Sequence, residues 1–509
     1  GNQVCAKHVF GRFMQTFPRN VSMLFTSLEF VLLYVPLTFV IFYLVARRSH
    51  EWAITWLLVA SLVFYARWNA WDLAVLIPSV VFNFLVAEQI VKSAQKNSSL
   101  HWLWFGVATN LVVLAYFKYL NFFASVITSA IDPHAQAPLP VQHLPLGISF
   151  FTFTQIAFLV DAHRKEAVEL NGVRYGLFAT YFPHLIAGPI LHHKQMMPQF
   201  NNISNFSPSA AHINQGLFIF LIGLIKKVIL ADTFSDYSGP IFDSASSPAD
   251  HFGAMWIGAV CYTLQLYFDF SGYSDMAIGV SLMFGIILPI NFNSPYKARS
   301  IIDFWRRWHI TLSTFLRDYL YIPLGGNKKG ETRRYVNLFT TMALGGLWHG
   351  ASWNFVIWGC LHGTYLTVNH LARNYVASIP ALNLVFRIIG WPLTLMAVVI
   401  AWVFFRATSF SRAWDMLLTM SGARGLNMSH ETLFGLYMVP PNPYELLAVL
   451  LVGGGVALFF PNTQEIAKHA GKWVSRSGEF FIGALLALVL LVCFIGASRG
   501  ASEFIYFNF

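Results

Sequence analysis

The feature that most constrains this chain is a succession of apolar runs that approach the length of a membrane-spanning helix. The runs are Leu24–Ala46, Trp52–Tyr65, Leu73–Val91, Trp102–Ile127, Leu146–Val160, Gly216–Leu230, Trp256–Phe268, Phe386–Phe405, Leu446–Phe460 and Phe480–Ala497. A helix needs about 20 apolar residues to cross a bilayer, and the shorter runs are typical of tilted, re-entrant or buried helices. The sequence therefore predicts an all-α polytopic membrane protein with about 10–12 transmembrane helices.

Composition supports this class, because the chain has too little charge to cover itself with a solvated surface. Only 11% of its 509 residues are charged and 56% are hydrophobic, whereas soluble domains carry roughly a quarter charged residues. We predict one membrane domain over residues 23–509, with a motif-rich core near 144–370. Residues 1–22 are polar and mildly basic, and we interpret them as an N-terminal extension or leader before a natural start at Met23. The alternative is an ordinary disordered N-terminus.

The distribution of basic residues predicts the orientation of the chain. Loops rich in Lys and Arg remain in the cytoplasm. The connections after the first, third and fifth runs carry Arg47, Arg48, Lys92, Lys96, Arg164 and Lys165. The opposite connections, 66–72 and 129–144, contain Arg67 and no other Lys or Arg. We therefore expect a multi-pass protein with its N-terminus outside the cytoplasm, which for the inner membrane of a Gram-negative bacterium means the periplasm.

The cysteines are few and far apart. Cys5, Cys261, Cys360 and Cys493 show neither a disulfide framework nor the spacing of a metal site. We predict no metal site, no bound cofactor and no nucleic-acid partner.

Ionisable residues enter the apolar pattern between Leu144 and His370. They include Asp161, His163, His184, Lys226, Lys227, Asp232, Asp269, Asp275, His309 and His349. Such groups are costly at membrane depth and indicate functional sites by default. Gly and Pro are also frequent here, and irregular backbone within a membrane is tolerated where it lines a cavity. The region is therefore predicted to be a core that carries a tunnel.

The segment 295–334 is strongly basic, which predicts a cytoplasmic location. Within it, the apolar positions Trp305, Trp308, His309, Leu312 and Leu316 follow the spacing of one face of an amphipathic helix. This pattern is consistent with an interfacial helix anchored by Trp and Arg. It is equally consistent with a docking rim for an anionic donor, such as the phosphates of coenzyme A or of a phosphopantetheine carrier.

His349 follows an apolar run and is flanked by small residues, among them Gly346 and Gly350. Small neighbours allow another helix or a substrate to come close. A histidine near neutral pKa suits general base catalysis, but a buried histidine of this kind is also common in cores. The residue pattern alone leaves both interpretations open, and for His362 and His370 it favours packing.

Ordered motifs along the chain resemble those of the bacterial membrane-bound O-acyltransferase (MBOAT) family. The principal ones are 304–313 (FWRRWHITLS), 317–323 (RDYLYIP) and 346–350 (GLWHG). Supporting matches are 144–150 (LPLGISF), 182–189 (FPHLIAGP), 223–227 (GLIKK), 267–274 (YFDFSGYS) and 504–509 (FIYFNF). The resemblance covers about residues 23–509 and is greatest to the alginate O-acetyltransferase-like branch, with the D-alanyl-teichoic-acid transferases as a related group.

The resemblance implies an MBOAT fold, in which transmembrane, re-entrant and interfacial helices surround a central tunnel. It places the family's catalytic histidines at His349 and His309. The donor would be held by Arg306, Arg307 and Arg317. A supporting role is expected for Asp269, Ser271, Tyr273 and Trp348.

The implied reaction is acyl transfer from a cytoplasmic thioester, acetyl-CoA or another acyl donor, to a hydroxyl group. His349 would take the acceptor proton, and His309 would orient the thioester or share the proton. The product would be an O-acetylated exopolysaccharide, alginate or cellulose-like. A periplasmic partner acetyltransferase and polysaccharide assembly proteins would be its partners beside membrane lipid. Two alternatives without chemistry are a transporter and a scaffold of a polysaccharide export complex.

Overall fold

The protein, described here by a computed structural model, has helices and no strands in the residues that the structure describes: 23–93, 98–132, 143–166, 170–243, 251–377, 379–426, 443–476, 479–499 and 504–508. The predicted extension 1–22 lies outside them. The helices in these ranges are α1 (Val35–Ala46), α2 (His50–Ala66), α3 (Leu73–Ser93), α4 (Ser99–Leu114), α5 (Leu120–Ile131), α6 (Ile148–His163), α7 (Gly172–Thr180), α8 (His193–Asn201), α9 (Ala210–Ile225), α10 (Asp232–Asp243), α11 (Phe252–Met283), α12 (Ile301–Arg307), α13 (Ile310–Leu316), α14 (Glu331–His349), α15 (Trp353–Ala377), α16 (Pro380–Arg406), α17 (Phe410–Met420), α18 (Pro443–Leu458), α19 (Thr463–Arg476) and α20 (Glu479–Arg499). Short π-helical turns, such as Ala115–Tyr119 and Arg317–Tyr321, join several of these helices.

Several helices have the length and composition of membrane spans. In the described part of the chain, Ala70–Ser93, Ser99–Ile131 and Ile388–Arg406 are long and apolar enough to cross a bilayer unaided. Helices α18 and α19 pass the same test together, but with a bend of 67° between them. Shorter apolar helices are Phe30–Ala46, His50–Ala66, Ile148–His163 and Gly483–Arg499. The predicted class, an all-α multi-pass membrane protein, is confirmed, whereas the count of 10–12 spans remains a prediction.

Helix α11 forms the centre of the core, since almost every residue from Gly253 to Met283 is buried. It packs against α9 through paired glycines. A β-carbon on Gly279 would lie 2.5 Å from the carbonyl oxygen of Gly216, and one on Gly223 would lie 2.6 Å from that of Gly272. Such small residues let two backbones approach closely, which is how membrane helices gain packing contacts.

Buried charges beside this crossing are paired. The Lys227 ammonium lies 2.7 Å from Asp269 and 2.8 Å from Asp232, and Lys226 lies 2.7 Å from Asp275. A charge inside a membrane protein is tolerated when it has such partners. These lysines and aspartates therefore compensate one another's charge within the core.

The prediction of one continuous amphipathic helix through Trp305 and Leu316 is wrong. Helix α12 ends at Arg307, and α13 begins at Ile310. Between them His309 adopts a left-handed conformation with φ +42°, which no helix interior allows. The apolar positions of the pattern are all buried, so the periodicity identified the residues that face the core but not the break in the backbone.

Candidate active site

His349 is the last residue of α14, where the chain leaves the helix through an extended Gly350 with φ −169°. The small residues of the motif are needed because α14 packs closely on α15. A β-carbon on Gly346 would clash with the backbone of α15 at Phe355 and Gly359. The close crossing buries His349, whose side chain and backbone are only 3% exposed.

Aromatic rings enclose the imidazole of His349. Its ring centroid lies 4.9 Å from Trp348, 5.0 Å from Trp358, 5.2 Å from Phe405 and 5.8 Å from Tyr506. Its Nδ1 finds no hydrogen-bond partner among the described residues. Most buried polar atoms have a hydrogen-bond partner. Because Nδ1 of His349 has none among the described residues, it is available to exchange a proton with a bound substrate.

His309 is fully buried and is oriented by Asn291. The Asn291 side-chain oxygen lies 3.1 Å from Nδ1 of His309 and also accepts from the backbone N–H of Thr311, at 3.4 Å. Because a backbone N–H can only donate, this Asn291 atom is the oxygen, and Nδ1 of His309 must carry the proton. The lone pair then lies on Nε2, which has no partner among the described residues.

The C-terminal segment brings Tyr506 between the two histidines. The centroid of its ring lies 6.3 Å from that of His309 and 5.8 Å from that of His349. Asp269 holds this segment, since its carboxylate accepts from the backbone N–H of Ile505 at 3.0 Å. One of the predicted supporting residues, Asp269, thus anchors the segment that carries Tyr506.

The remaining supporting residues lie nearby. Tyr273 packs edge-on against Phe504 at 4.4 Å between ring centroids. Ser271 is buried in α11, and its hydroxyl has no hydrogen-bond partner among the described residues. Trp348 stacks on Phe153 at 4.9 Å and forms one wall of the space around His349.

A groove of about 460 Å³ lies beside α12, α13 and α14. Arg306, Arg317 and Arg334 line it, together with hydroxyl side chains and Trp305. The Arg334 guanidinium donates to Nδ1 of His370 at 2.9 Å, while Arg317 is paired with Asp318 at 2.7 Å. The groove therefore presents several guanidinium groups, which suit phosphate or carboxylate oxygens.

Arg307 is not part of this groove. Its guanidinium pairs with Asp303 at 2.9 Å and donates to the backbone oxygen of Asn293. The predicted set of donor-binding arginines is thus divided by the structure: two of its members, Arg306 and Arg317, share the groove, and the third lies apart.

The groove and the surroundings of His349 are joined through a wall of aromatic side chains. Trp305 lines the groove, and its indole N–H donates to Nδ1 of His362 at 3.2 Å. The same indole packs against Trp358 at 5.8 Å between ring centroids, and Trp358 contacts His349. His362 therefore packs in this wall, which is the role that its sequence context favoured.

Sequence reasoning missed Asn291, Arg334 and Tyr506 as residues of the site. It also missed Lys118, whose ammonium donates to the backbone carbonyl oxygens of Trp348 and His349. The signal for Lys118 was present, because a lysine within an apolar run is itself unusual. Arg334 was visible as part of the basic segment, and Tyr506 as part of the C-terminal motif. Nothing in the sequence around Asn291 indicates its contact with His309. Among the described residues, no group of three or more His, Cys, Asp or Glu is arranged to hold a metal ion.

Comparison with known proteins gives the class of this protein. Residues 99–414 match the membrane-bound O-acyltransferase family. This match covers more than half of the chain, which therefore belongs to the MBOAT family and is an O-acyltransferase.

Individual relatives give finer detail. The chain is 37% identical to the peptidoglycan O-acetyltransferase of Helicobacter pylori, over 96% of its own length and 98% of that protein. It is 41% identical to the Probable alginate O-acetylase AlgI of Pseudomonas aeruginosa, over 90% of its length and 86% of that protein. A teichoic acid D-alanyltransferase of Bacillus subtilis is 29% identical over 47% of the chain and 63% of that protein. The predicted resemblance to the alginate O-acetylase-like branch is confirmed.

Proposed function

We propose that this protein takes an acetyl group from a cytoplasmic thioester, such as acetyl-CoA, and passes it across the inner membrane for O-acetylation of a cell-envelope polymer. The observation that carries the proposal is the pair of buried histidines around Tyr506, each with a ring nitrogen unpartnered among the described residues. The names of the relatives, which act on alginate and on peptidoglycan, support a glycan acceptor.

The chemistry follows from what acyl transfer requires. An acceptor hydroxyl oxygen attacks the thioester carbonyl carbon, the C–S bond breaks, and the hydroxyl proton must leave. His349 takes that proton and returns one to the departing thiolate. His309 presents a lone pair rather than an N–H at Nε2, which favours a part in proton transfer over hydrogen bonding to the thioester carbonyl.

The donor would lie in the groove, with its anionic groups on Arg306, Arg317 and Arg334. The acyl group would then pass the wall formed by Trp305 and Trp358 to reach His349. A periplasmic partner acetyltransferase would complete the transfer to an exopolysaccharide, alginate or a cellulose-like glycan, and direct transfer to the glycan is the competing route. The path from the groove past this wall to the periplasmic face would be a tunnel across the bilayer, and this tunnel is part of the proposal.

The test is His349→Ala in the full-length protein, expressed in cells that carry the polymer and its assembly proteins. We expect polymer acetylation to be abolished while the amount of protein in the membrane is unchanged. The matched control is His469→Ala, which removes an exposed histidine on α19 and should leave acetylation intact. Full acetylation of the polymer in cells with His349→Ala would contradict the catalytic role of His349.

A second readout separates an enzyme from the two alternatives without chemistry. The purified protein in proteoliposomes should release coenzyme A from acetyl-CoA in the presence of an acceptor, and His349→Ala should do so only at a small residual rate above that of protein-free vesicles. A transporter or a scaffold would release no thiol in either form.

A further inference from the structure

Lys118 lies inside the membrane span Ser99–Ile131 and makes its contacts at the end of the helix that carries His349. Its ammonium donates to the carbonyl oxygen of Trp348 at 2.6 Å and to that of His349 at 3.2 Å. A third bond, of 2.9 Å, goes to the hydroxyl of Ser149. No carboxylate among the described residues forms an ion pair with this ammonium.

A cation without a carboxylate partner is energetically costly inside a membrane. Two lysines in the core at the crossing of α9 and α11, Lys226 and Lys227, are by contrast paired with aspartates. Lys118 is therefore an exception within its own fold. Such exceptions are retained where the charge has a function.

The local backbone is also unusual. Lys118 belongs to the π-helical turn Ala115–Tyr119, which interrupts the long span between α4 and α5. Single π turns insert one residue into a helix and occur frequently at functional sites. The extra residue changes the direction of the side chains that follow, and here it brings Lys118 and Tyr119 together toward α14.

The two side chains cap α14 from outside. The last carbonyl groups of a helix have no partner within it, and α14 ends at His349. The Tyr119 hydroxyl donates to the carbonyl oxygen of Leu347 at 2.8 Å. The Lys118 ammonium donates to the next two carbonyl oxygens, those of Trp348 and His349. A positive charge at a helix C-terminus is also favourable for the helix dipole.

We propose that this π turn, and Lys118 above all, is a positioning element that fixes the backbone of His349 and thereby aims its imidazole at the reacting groups. The inference rests on the proposed function of His349. The three N–H donors of Lys118 go to the carbonyl oxygens of Trp348 and His349 and to the hydroxyl of Ser149. Lys118 therefore has no donor left for the substrate. It acts through His349, whose backbone would otherwise leave the helix into the extended Gly350 without restraint.

The test compares Lys118→Met with Lys118→Arg in the purified full-length protein, reconstituted in proteoliposomes with acetyl-CoA as the probe. Methionine keeps the apolar stem but removes the charge and all donors. We expect kcat to fall ~10-fold or more, while KM for acetyl-CoA stays within about twofold because the groove is untouched. Arginine retains the cation and donors and should restore part of kcat. Ser149→Ala leaves both carbonyl bonds intact and should stay near the wild type.

A double substitution separates positioning of His349 from a general effect on the fold. In a His349→Ala background, Lys118→Met should cause no further loss of residual activity, because residues that act as one unit are not additive. Tyr119→Phe removes one capping bond only and should lower kcat by a smaller factor. Wild-type kcat in Lys118→Met, or a loss that adds to that of His349→Ala, would overturn the inference.

Loss of activity that follows loss of folded protein across Lys118→Met and Tyr119→Phe would also overturn it. The outcome for His349→Ala alone, measured in parallel, distinguishes the two proposals. An active His349→Ala protein contradicts the proposed function. An inactive one beside a fully active Lys118→Met contradicts only the positioning role.

Discussion

At the scale of single residues, the structure divides the basic residues of 295–334 by their partners. Arg306 lines the groove without a carboxylate partner among the described residues, whereas Arg307 is paired with Asp303. The two are adjacent in sequence and chemically identical. They therefore offer a matched comparison of a guanidinium inside the groove with one outside it.

We expect Arg306→Gln to raise KM for acetyl-CoA by about tenfold, because a charge-assisted hydrogen bond contributes about 1.5–3 kcal/mol. Its kcat should change little, since the bond is made in the ground state as well as in the transition state. Arg307→Gln removes the same charge and should leave KM near the wild-type value. Steady-state kinetics in proteoliposomes checks both, and an equal rise of KM in both variants would contradict a donor site in the groove.

The residues that sequence predicted at the site are those with a local signature. His349 and His309 stand in motifs of several residues, so their neighbours identify them. Asn291 is different, because its contact with His309 joins positions 18 residues apart through an irregular connection. The bond between Lys118 and His349 spans 231 residues. A motif of a few neighbouring residues carries no information on contacts between distant positions, because these contacts form only when the helices pack together.

At the scale of elements, periodicity predicts which face of a helix is buried but not whether the helix continues. The burial of Trp305, Trp308 and Leu312 agrees with a 3.6-residue repeat. The break occurs because His309 is left-handed, and the surrounding structure must hold a non-glycine residue in that conformation. The backbone N–H of Ile310 donates to the Asn291 carbonyl at 2.9 Å, which is one of the bonds that do so.

The packing of α9 on α11 gives a prediction for a single added methyl group. Gly279→Ala should reduce the thermal stability of the purified protein in detergent, because its β-carbon would collide with the backbone of Gly216 and Phe220. Overpacking of this kind costs about 1–3 kcal/mol. The control is Gly454→Ala on α18, where nothing lies within 4 Å of an added β-carbon. That variant should melt at or slightly above the wild-type temperature, and an equal loss in both would refute the close crossing.

At the scale of the whole molecule, the proposed function requires that the groove and the acceptor face opposite compartments. The proposed donor is cytoplasmic, so the turn at Lys328 and Lys329, adjacent to the groove, must face the cytoplasm. The turn at Asn69, between α2 and α3, belongs to a connection poor in basic residues and must then face the periplasm. Both turns lie in the described part of the chain and carry exposed or half-exposed residues.

A single cysteine placed at either turn tests this orientation in a background in which Cys5, Cys261, Cys360 and Cys493 are replaced by serine. In cells whose outer membrane alone is permeable, Asn69→Cys should react with a membrane-impermeant maleimide and Lys328→Cys should not. Lys328→Cys should react only after the inner membrane is opened. The opposite pattern would place the groove in the periplasm, where acetyl-CoA is absent, and would require a donor other than a cytoplasmic thioester. Activity of each variant, measured in parallel, ensures that the labelled protein is folded.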